Sequence, residues 1–299
     1  MSSPASRKKL GLLLGCIGMC MFAGTLPATR LAVTGFDPLF LTAARVTIAG
    51  CSAALLLLLT RHKLPPRGLR LELFAAGFCI VFAFPLFIAL AMMSVAAAHG
   101  GVVLGIMPLA TAAAAAALAH ERPSAGFWLV SVAGTCLVLT FIVRRAGIEA
   151  VDYGDVFLLG GVISGAIGYT LSARLTAKMP GWEVISWSVV IFLPLSAAAT
   201  AALWPAAIAS VPAAAWAGLV YVSFVSQYFS FFVFNVAMAM GGVARMSQVL
   251  LLQPLVIVAL AWPVNGERIE LETLLFAAAV VATVVIGQRM RVKRGAQSN

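Results

Sequence analysis

The chain has 299 residues, 62% of them hydrophobic and 10% charged, with a net charge of +10. A soluble chain is ordinarily about one-quarter charged, so this composition, with mean hydropathy +1.04, cannot cover a water-facing surface and calls for a bilayer as solvent. The basic residues sit in short loops between apolar runs, which argues against a nucleic-acid partner and makes them an orientation signal instead.

A membrane-spanning helix needs about 20 mostly apolar residues. With charges and turn residues as punctuation, spans fall near 10–29, 39–60, 72–93, 99–119, 126–144, 154–174, 183–204, 213–237, 245–263 and 270–288. Arg7, Lys8 and Lys9 ahead of the first run have the form of a signal peptide. The repeat described below counts that run as a span instead. With the N-terminus in the cytoplasm, fifteen Lys and Arg face inward and four, Arg30, Arg144, Arg145 and Arg268, face outward. That bias predicts an inner-membrane, multi-pass protein with both termini cytoplasmic.

The chain repeats itself. Pro108 is followed thirteen residues later by Glu121-Arg122, and Pro254 thirteen residues later by Glu267-Arg268, an offset of 146. At that offset Phe78 meets Phe224, Phe82 meets Tyr228 and Ala91-Met92 meets Ala237-Met238, while Arg30-Leu31 meets Arg174-Leu175 at 144. The division is 1–146 and 147–299, with five spans in each half. Because five is odd, the second half enters the membrane inverted. The expected fold is therefore all-α and integral to the membrane, with ten transmembrane helices in two inverted five-helix repeats. Inverted repeats place a site at the interface of the halves, and the alternative is duplication of a structural bundle.

Several residues could make that site. Pro108 and Pro254 lie about 14 Å into their helices and free the carbonyls of Leu104 and Leu250. They are candidate hinges beside a central site, or simply a pair of packing kinks. Arg45 is the one charged residue well inside a span. It binds a substrate carboxylate, snorkels outward towards Asp37, or braces backbone carbonyls. The third helix carries a stripe of Phe74, Phe78 and Phe82, the eighth one of Tyr221, Phe224, Tyr228 and Phe231 with Gln227, and the ninth adds Gln248 and Gln253. Stripes of this kind pack against neighbours or, beside amides and a kink, line a mixed pocket. The candidate substrate-binding set is Arg45, Phe78, Phe82, Met107, Tyr169, Phe224, Gln227, Tyr228, Gln248 and Gln253.

No catalytic residue, metal site or cofactor is expected. The five cysteines lie in apolar segments without a C-x-x-C partner, and neither a phosphate loop nor an H-E-x-x-H pair occurs. All ten acids fall in loops or at helix ends. A proton- or sodium-coupling site needs a carboxylate within the membrane, so uncoupled transport or exchange is expected, with His99 as the remaining titratable candidate. The expected partners are a small-molecule substrate and the lipid bilayer, with no nucleic acid, and the protein is expected to be a monomer. An intramembrane enzyme and a channel are the rival readings.

The residues resemble the EamA-type drug/metabolite transporters over nearly the whole chain, as two such units. The resemblance rests on Asp37-Pro38 leading into a helix that carries Arg45. It rests also on Pro108 closing on His120-Glu121-Arg122-Pro123, repeated as Pro254 closing on Gly266-Glu267-Arg268. It implies a ten-helix exporter or exchanger of amino acids, other metabolites or drugs. Many members carry a tryptophan near the middle of the first helix, where this chain has Phe22.

Overall fold

The computed structural model describes residues 4–118, 122–146, 152–241, 249–289 and 292–293. Asp37 starts the second helix, accepting hydrogen bonds from the N–H groups of Leu39 (2.8 Å) and Phe40 (3.3 Å) ahead of Pro38. Asp152 starts the sixth in the same way, through the N–H of Gly154 (2.9 Å). Gly266, at φ 69°, closes the ninth, where a left-handed residue ends the helix most cheaply.

Between such signals run α1 (Lys9–Ala32), α2 (Pro38–Leu59), α3 (Arg67–Ala91) and α4 (Ala97–Leu118). After them come α5 (Ala125–Ala146), α6 (Tyr153–Thr176), α7 (Gly181–Ala202), α8 (Ala213–Gly241), α9 (Gln253–Asn265) and α10 (Leu271–Arg289). Seven helices are long and apolar enough to cross a membrane, and three shorter apolar ones, Trp128–Arg144, Gln253–Asn265 and Leu271–Gly287, fall within α5, α9 and α10. The one extended pairing among the described residues joins Arg122–Pro123 to Val292–Lys293. Large apolar side chains such as Leu58, Leu71, Leu129, Ile163 and Leu275 stand exposed on the outside of the bundle. In water they would be a liability, whereas lipid covers them.

The helices pair across the two halves. On α2 and α7, Thr47 bonds Thr200 (3.0 Å), while Leu57 clusters with Val184 and Trp187. On α4 and α9, Gly101 sits against Ile257 and Gly105 against Pro254. On α5 and α10, Gly134 meets Thr283, and the rings of Phe141 and Phe276 lie 5.0 Å apart. Along each pair one number rises as the other falls, so each helix packs antiparallel to its own counterpart. The second half is thus inverted relative to the first. The remaining pairs, α1 with α8 and α3 with α6, are exchanged by the same relation: Gly18 meets Phe234, and Gly160 meets Phe87.

Helices α3, α4 and α8 are irregular near their middles, as is α1 at Gly24, and a turn precedes α9. α3 contains a π-helical stretch, Phe78–Ala83, and α8 another, Tyr221–Phe229. Each closes on a bond reaching five residues back, Phe84 N–H to the Cys79 carbonyl and Ser230 N–H to the Val225 carbonyl. Both bonds stand at the same repeat position, 146 residues apart. α4 breaks at Gly105 and Ile106 just before Pro108, and the chain turns at Leu251 and Leu252 just before Pro254. The two prolines therefore occupy the first turn of a restarted helix rather than kinking a continuous one, a position where a missing N–H costs nothing.

Candidate functional site

A chain of hydroxyls joins α1, α2 and α8 at mid-bundle. Thr25 Oγ1 donates to the Phe22 carbonyl at 2.5 Å and lies 2.8 Å from Ser226 Oγ. Thr25 has a single hydroxyl proton, so Ser226 donates to Thr25. The Ser226 oxygen in turn accepts from Arg45 Nη2 at 3.4 Å. Beside this chain α1 breaks at Gly24. The Tyr221 hydroxyl donates to the Met21 carbonyl there (3.0 Å), in space that a Cβ on Gly24 would enter to within 2.2 Å of the hydroxyl. The π-helical turn of α8 presents Ser223, Ser226, Gln227 and Tyr228 together as buried residues. Stretches of this kind are frequent at functional sites.

Arg45 is 3% exposed, and its Nε has no hydrogen-bond partner. Asp37 is occupied at the start of α2, so the snorkelling reading does not describe this conformation. Gln227 is equally buried, and its side chain makes no hydrogen bond among the described residues. Tyr228 shares a bond with Ser186 of α7 (2.9 Å). Tyr169 packs on the same cluster, with Val46, Ala49 and Tyr228. Met107 starts the restarted half of α4 against Gly165, where a Cβ would come within 2.7 Å of its sulfur. Pro254 abuts Gly105, and Gln253 and Pro108 are half-buried beside the two breaks.

The structure does not bring the whole candidate set together. Phe78 is 48% exposed and stacks on Phe82 (6.3 Å), which stacks in turn on Phe192 of α7 (6.5 Å). Phe224 stacks on the exposed Phe229 (6.4 Å). Phe78 and Phe229 thus face outward, while Phe192 is buried and Phe229 also meets Tyr228 (5.9 Å). Gln248 lies outside the described residues. Thr25, Gly24 and Ser186 belong to the cluster but are not among the candidates that the sequence singles out. A glycine next to a hydroxyl in mid-span is the available signal for the first two. Two recesses of about 380 and 260 Å³ run along α5, and neither is lined by a residue of the central cluster. In this conformation Thr25, Ser226 and Arg45 bond one another.

One end of the bundle, here the Glu267 end, is tied by polar contacts. Glu267 accepts from the N–H groups of Ala97 (2.8 Å) and Ala98 (2.9 Å) at the start of α4. Asn265 donates to the Pro27 carbonyl (3.1 Å), and Arg30 donates to that of Met92. His99 Nε2 lies 2.7 Å from Asp155 Oδ1, joining α4 to α6 with both side chains buried. His99, the remaining titratable candidate of the sequence, therefore has an acidic partner. Asp155 stands at a helix start as expected, but packing removes it from solvent. Nearby, the Gly154 N–H and the Ser94 hydroxyl hold the Asp152 carboxyl below its usual range. At the opposite end Glu72 of α3 pairs with Arg174 (3.0 Å) and Lys178 (3.1 Å) of α6 and its following turn.

A helical bundle of two inverted halves, with irregular helices and buried polar groups where they meet, is the architecture of a membrane carrier. The chain matches the EamA-like transporter family over residues 9–143 and again over 152–287, and it belongs to that family. It is 37% identical over 279 residues to the "Uncharacterized transporter YdeK" of Bacillus subtilis (strain 168), across 93% of this chain and 97% of that protein. A solved crystal structure superposes on 95% of this chain and 99% of its own with TM-score 0.61 at 19% identity, a likeness of fold alone. The protein is a multi-pass integral membrane transporter.

Proposed function

We propose that the protein is a secondary transporter for small amphiphilic metabolites, a class that takes in amino acids and amphiphilic drugs, and that it works by alternating access. The observation that carries this reading is the antiparallel packing of α2, α4 and α5 on their own counterparts. Such an interface has two equivalent rearrangements, each opening one end. The chain crosses the cytoplasmic membrane ten times as a monomer, with both termini inside, which makes the Glu267 end the outer one. Pro108 and Pro254 serve as hinges, because each begins a half-helix that can swing about an unbonded carbonyl. Substrate is held between the halves by Arg45, Gln227 and Tyr228, with Tyr169, Met107 and Gln253 around them.

No proton or sodium gradient is required. The acids lie at helix ends, and the deepest of them, Asp155, is engaged with His99. Catalysis forms no part of this reading, since no nucleophile stands beside a base in the central cluster. The test is counterflow with purified protein in liposomes, using a panel of amino acids, carboxylic acids and amphiphilic amines. Saturable exchange at modest rates is expected. Non-saturating flux would make it a channel, and no flux for any compound would remove the reading. Labelling of single cysteines at residues 64 and 148 checks orientation, with the first expected to react only from inside and the second only from outside.

A further inference from the structure

Arg45 needs an anion that the protein does not supply. A guanidinium carries five N–H donors and is always charged. Among the described residues Arg45 spends one, on Ser226 at 3.4 Å, and its buried Nε has none. The partners beyond Ser226 are neutral, since the hydroxyl chain runs through Thr25 and ends on the Phe22 carbonyl. A buried, uncompensated charge is costly in protein and in bilayer alike. Keeping one there makes physical sense where a counter-ion arrives from outside.

The sequence shows what that counter-ion must be. None of the ten acids falls in the middle of a span, the two at Glu121 and Glu149 outside the described residues included. Asp37, the acid on the same helix, lies eight residues away, about 12 Å along the axis, and is occupied by two backbone N–H groups. No carboxylate at mid-span therefore complements an ammonium group, and Arg45 would repel one. The same helices carry apolar groups. Phe22 and Phe231 meet edge-to-face at 5.0 Å, and Val46, Ala49 and Tyr228 share a cluster. The Gln227 amide, without a partner among the described residues, offers further donors to an oxyanion.

We infer that Arg45 anchors a carboxylate and that the substrates are organic monoanions with an apolar body, not amino acids, amines or cationic drugs. This rests on the transport reading above and narrows its substrate class. The carboxylate takes the free Nε–H and an Nη–H side by side, the paired geometry that arginine favours.

The experiment is thermal unfolding of the purified full chain in detergent, with matched probes: benzoate against benzamide, hexanoate against hexanamide, and leucine against leucinamide. Benzoate and hexanoate should raise the wild-type midpoint, with apparent affinity about tenfold or more above that of their amides, since the carboxylate bonds are charge-assisted. Leucine and leucinamide should give no shift. Arg45→Met should unfold no earlier than wild type without ligand, because a buried unpaired charge is replaced by an apolar chain of similar length, and it should not respond to benzoate. Arg45→Lys, which keeps the charge but not the fork, should respond weakly, which separates loss of the site from misfolding. A wild-type response to leucine equal to that to hexanoate, a response retained in Arg45→Met, or no response to either acid would each overturn the inference. Counterflow separates the two levels. Exchange of amines or amino acids alone leaves transport standing and removes the carboxylate anchor. Binding of acids without any exchange does the reverse.

Discussion

The α8–α1 pair and the α3–α6 pair are copies of one contact, and they differ in chemistry. Both third helices carry a π-helical stretch closed by a bond at the same repeat position. The backbone distortion therefore belongs to the shared architecture. The side chains do not: where α3 has Ile80 and Val81, α8 has Ser226 and Gln227. All four are buried. The facing first helices diverge too. α1 breaks at Gly24 and feeds its freed carbonyls to Tyr221 and Thr25, whereas α6 runs unbroken from Tyr153 to Thr176. The counterpart of α2 likewise carries no charge between Val184 and Ala202, so Arg45 has no twin. Duplication gave the frame twice, and the buried polar groups of this contact occupy one copy. A carrier with two equivalent gates needs only one site, so symmetry is required of the scaffold and not of the substrate contacts.

The largest effect that would test this asymmetry lies where the unbroken α6 begins. Asp155 is buried at its first turn and holds His99. Near the start of α1 stands the exposed Lys9 instead, without such an anchor among the described residues. Removing one partner of a buried side-chain hydrogen bond leaves the other unsatisfied and costs about 1–3 kcal/mol, more where a charge is left. Asp155→Ala should therefore lower the thermal midpoint strongly, Asp155→Asn, which keeps an accepting oxygen, should recover part of the loss, and Lys9→Gln should change nothing measurable. Equal tolerance at residues 9 and 155 would mean that α6 owes its regularity to something other than this anchor.

A smaller effect is expected at the break itself. On Gly24 a methyl group would stand 2.2 Å from the Tyr221 hydroxyl and 2.7 Å from the ring carbon that bears it. Gly24→Ala must push that ring aside and cost its bond to Met21, about 1–3 kcal/mol by overpacking. Gly168 of α6 faces Ile80 more loosely, with the nearest atoms 3.0 Å from where a methyl group would stand. Gly168→Ala should cost less, and unfolding midpoints compare the two. If Gly168→Ala proves the more damaging, the α3–α6 contact is the less forgiving of the copies and the functional asymmetry drawn from Gly24 fails.

The places of the apolar helices and their duplication were readable from sequence because a bilayer demands long apolar runs and tolerates charge only at their ends. Arg45 stood out for the same reason. The direction of the aromatic stripes did not. Spacing of three and four shows that Phe78 and Phe82 share a face, but inside a membrane both lipid and protein interior are apolar, so periodicity cannot say which way that face looks. Nor could the π-helical turns be read, since they depend on which carbonyl each N–H selects under packing. The break at Gly24 was legible but passed over, since Pro27 follows it at the spacing that sets Pro108 after Gly105 and Pro254 after Leu251. Asp155 reads as a helix-start acid, and its burial depends on where α4 begins, 56 residues away.

The smallest effect is expected at the outward-facing Phe78, and it is informative because it is small. Phe78 is half exposed and touches Phe82, which leans on Phe192. In a membrane its exposed face already meets lipid, so truncation exchanges ring–lipid contacts for lipid–lipid ones and leaves no sealed cavity. Surface substitutions of this sort fall within about 0.5 kcal/mol. Phe78→Ala should leave both the unfolding midpoint and the counterflow rate near wild type. Gln227→Val, which gives α8 the residue that α3 has at the same repeat position, should abolish most exchange while folding normally. The pair of results matters more than either alone. If Phe78→Ala reduces exchange as much as Gln227→Val does, the π-helical stretch of α3 turns inward in another stage of the cycle. Both copies would then take part in transport, and the division between a scaffold copy and a working copy would be wrong.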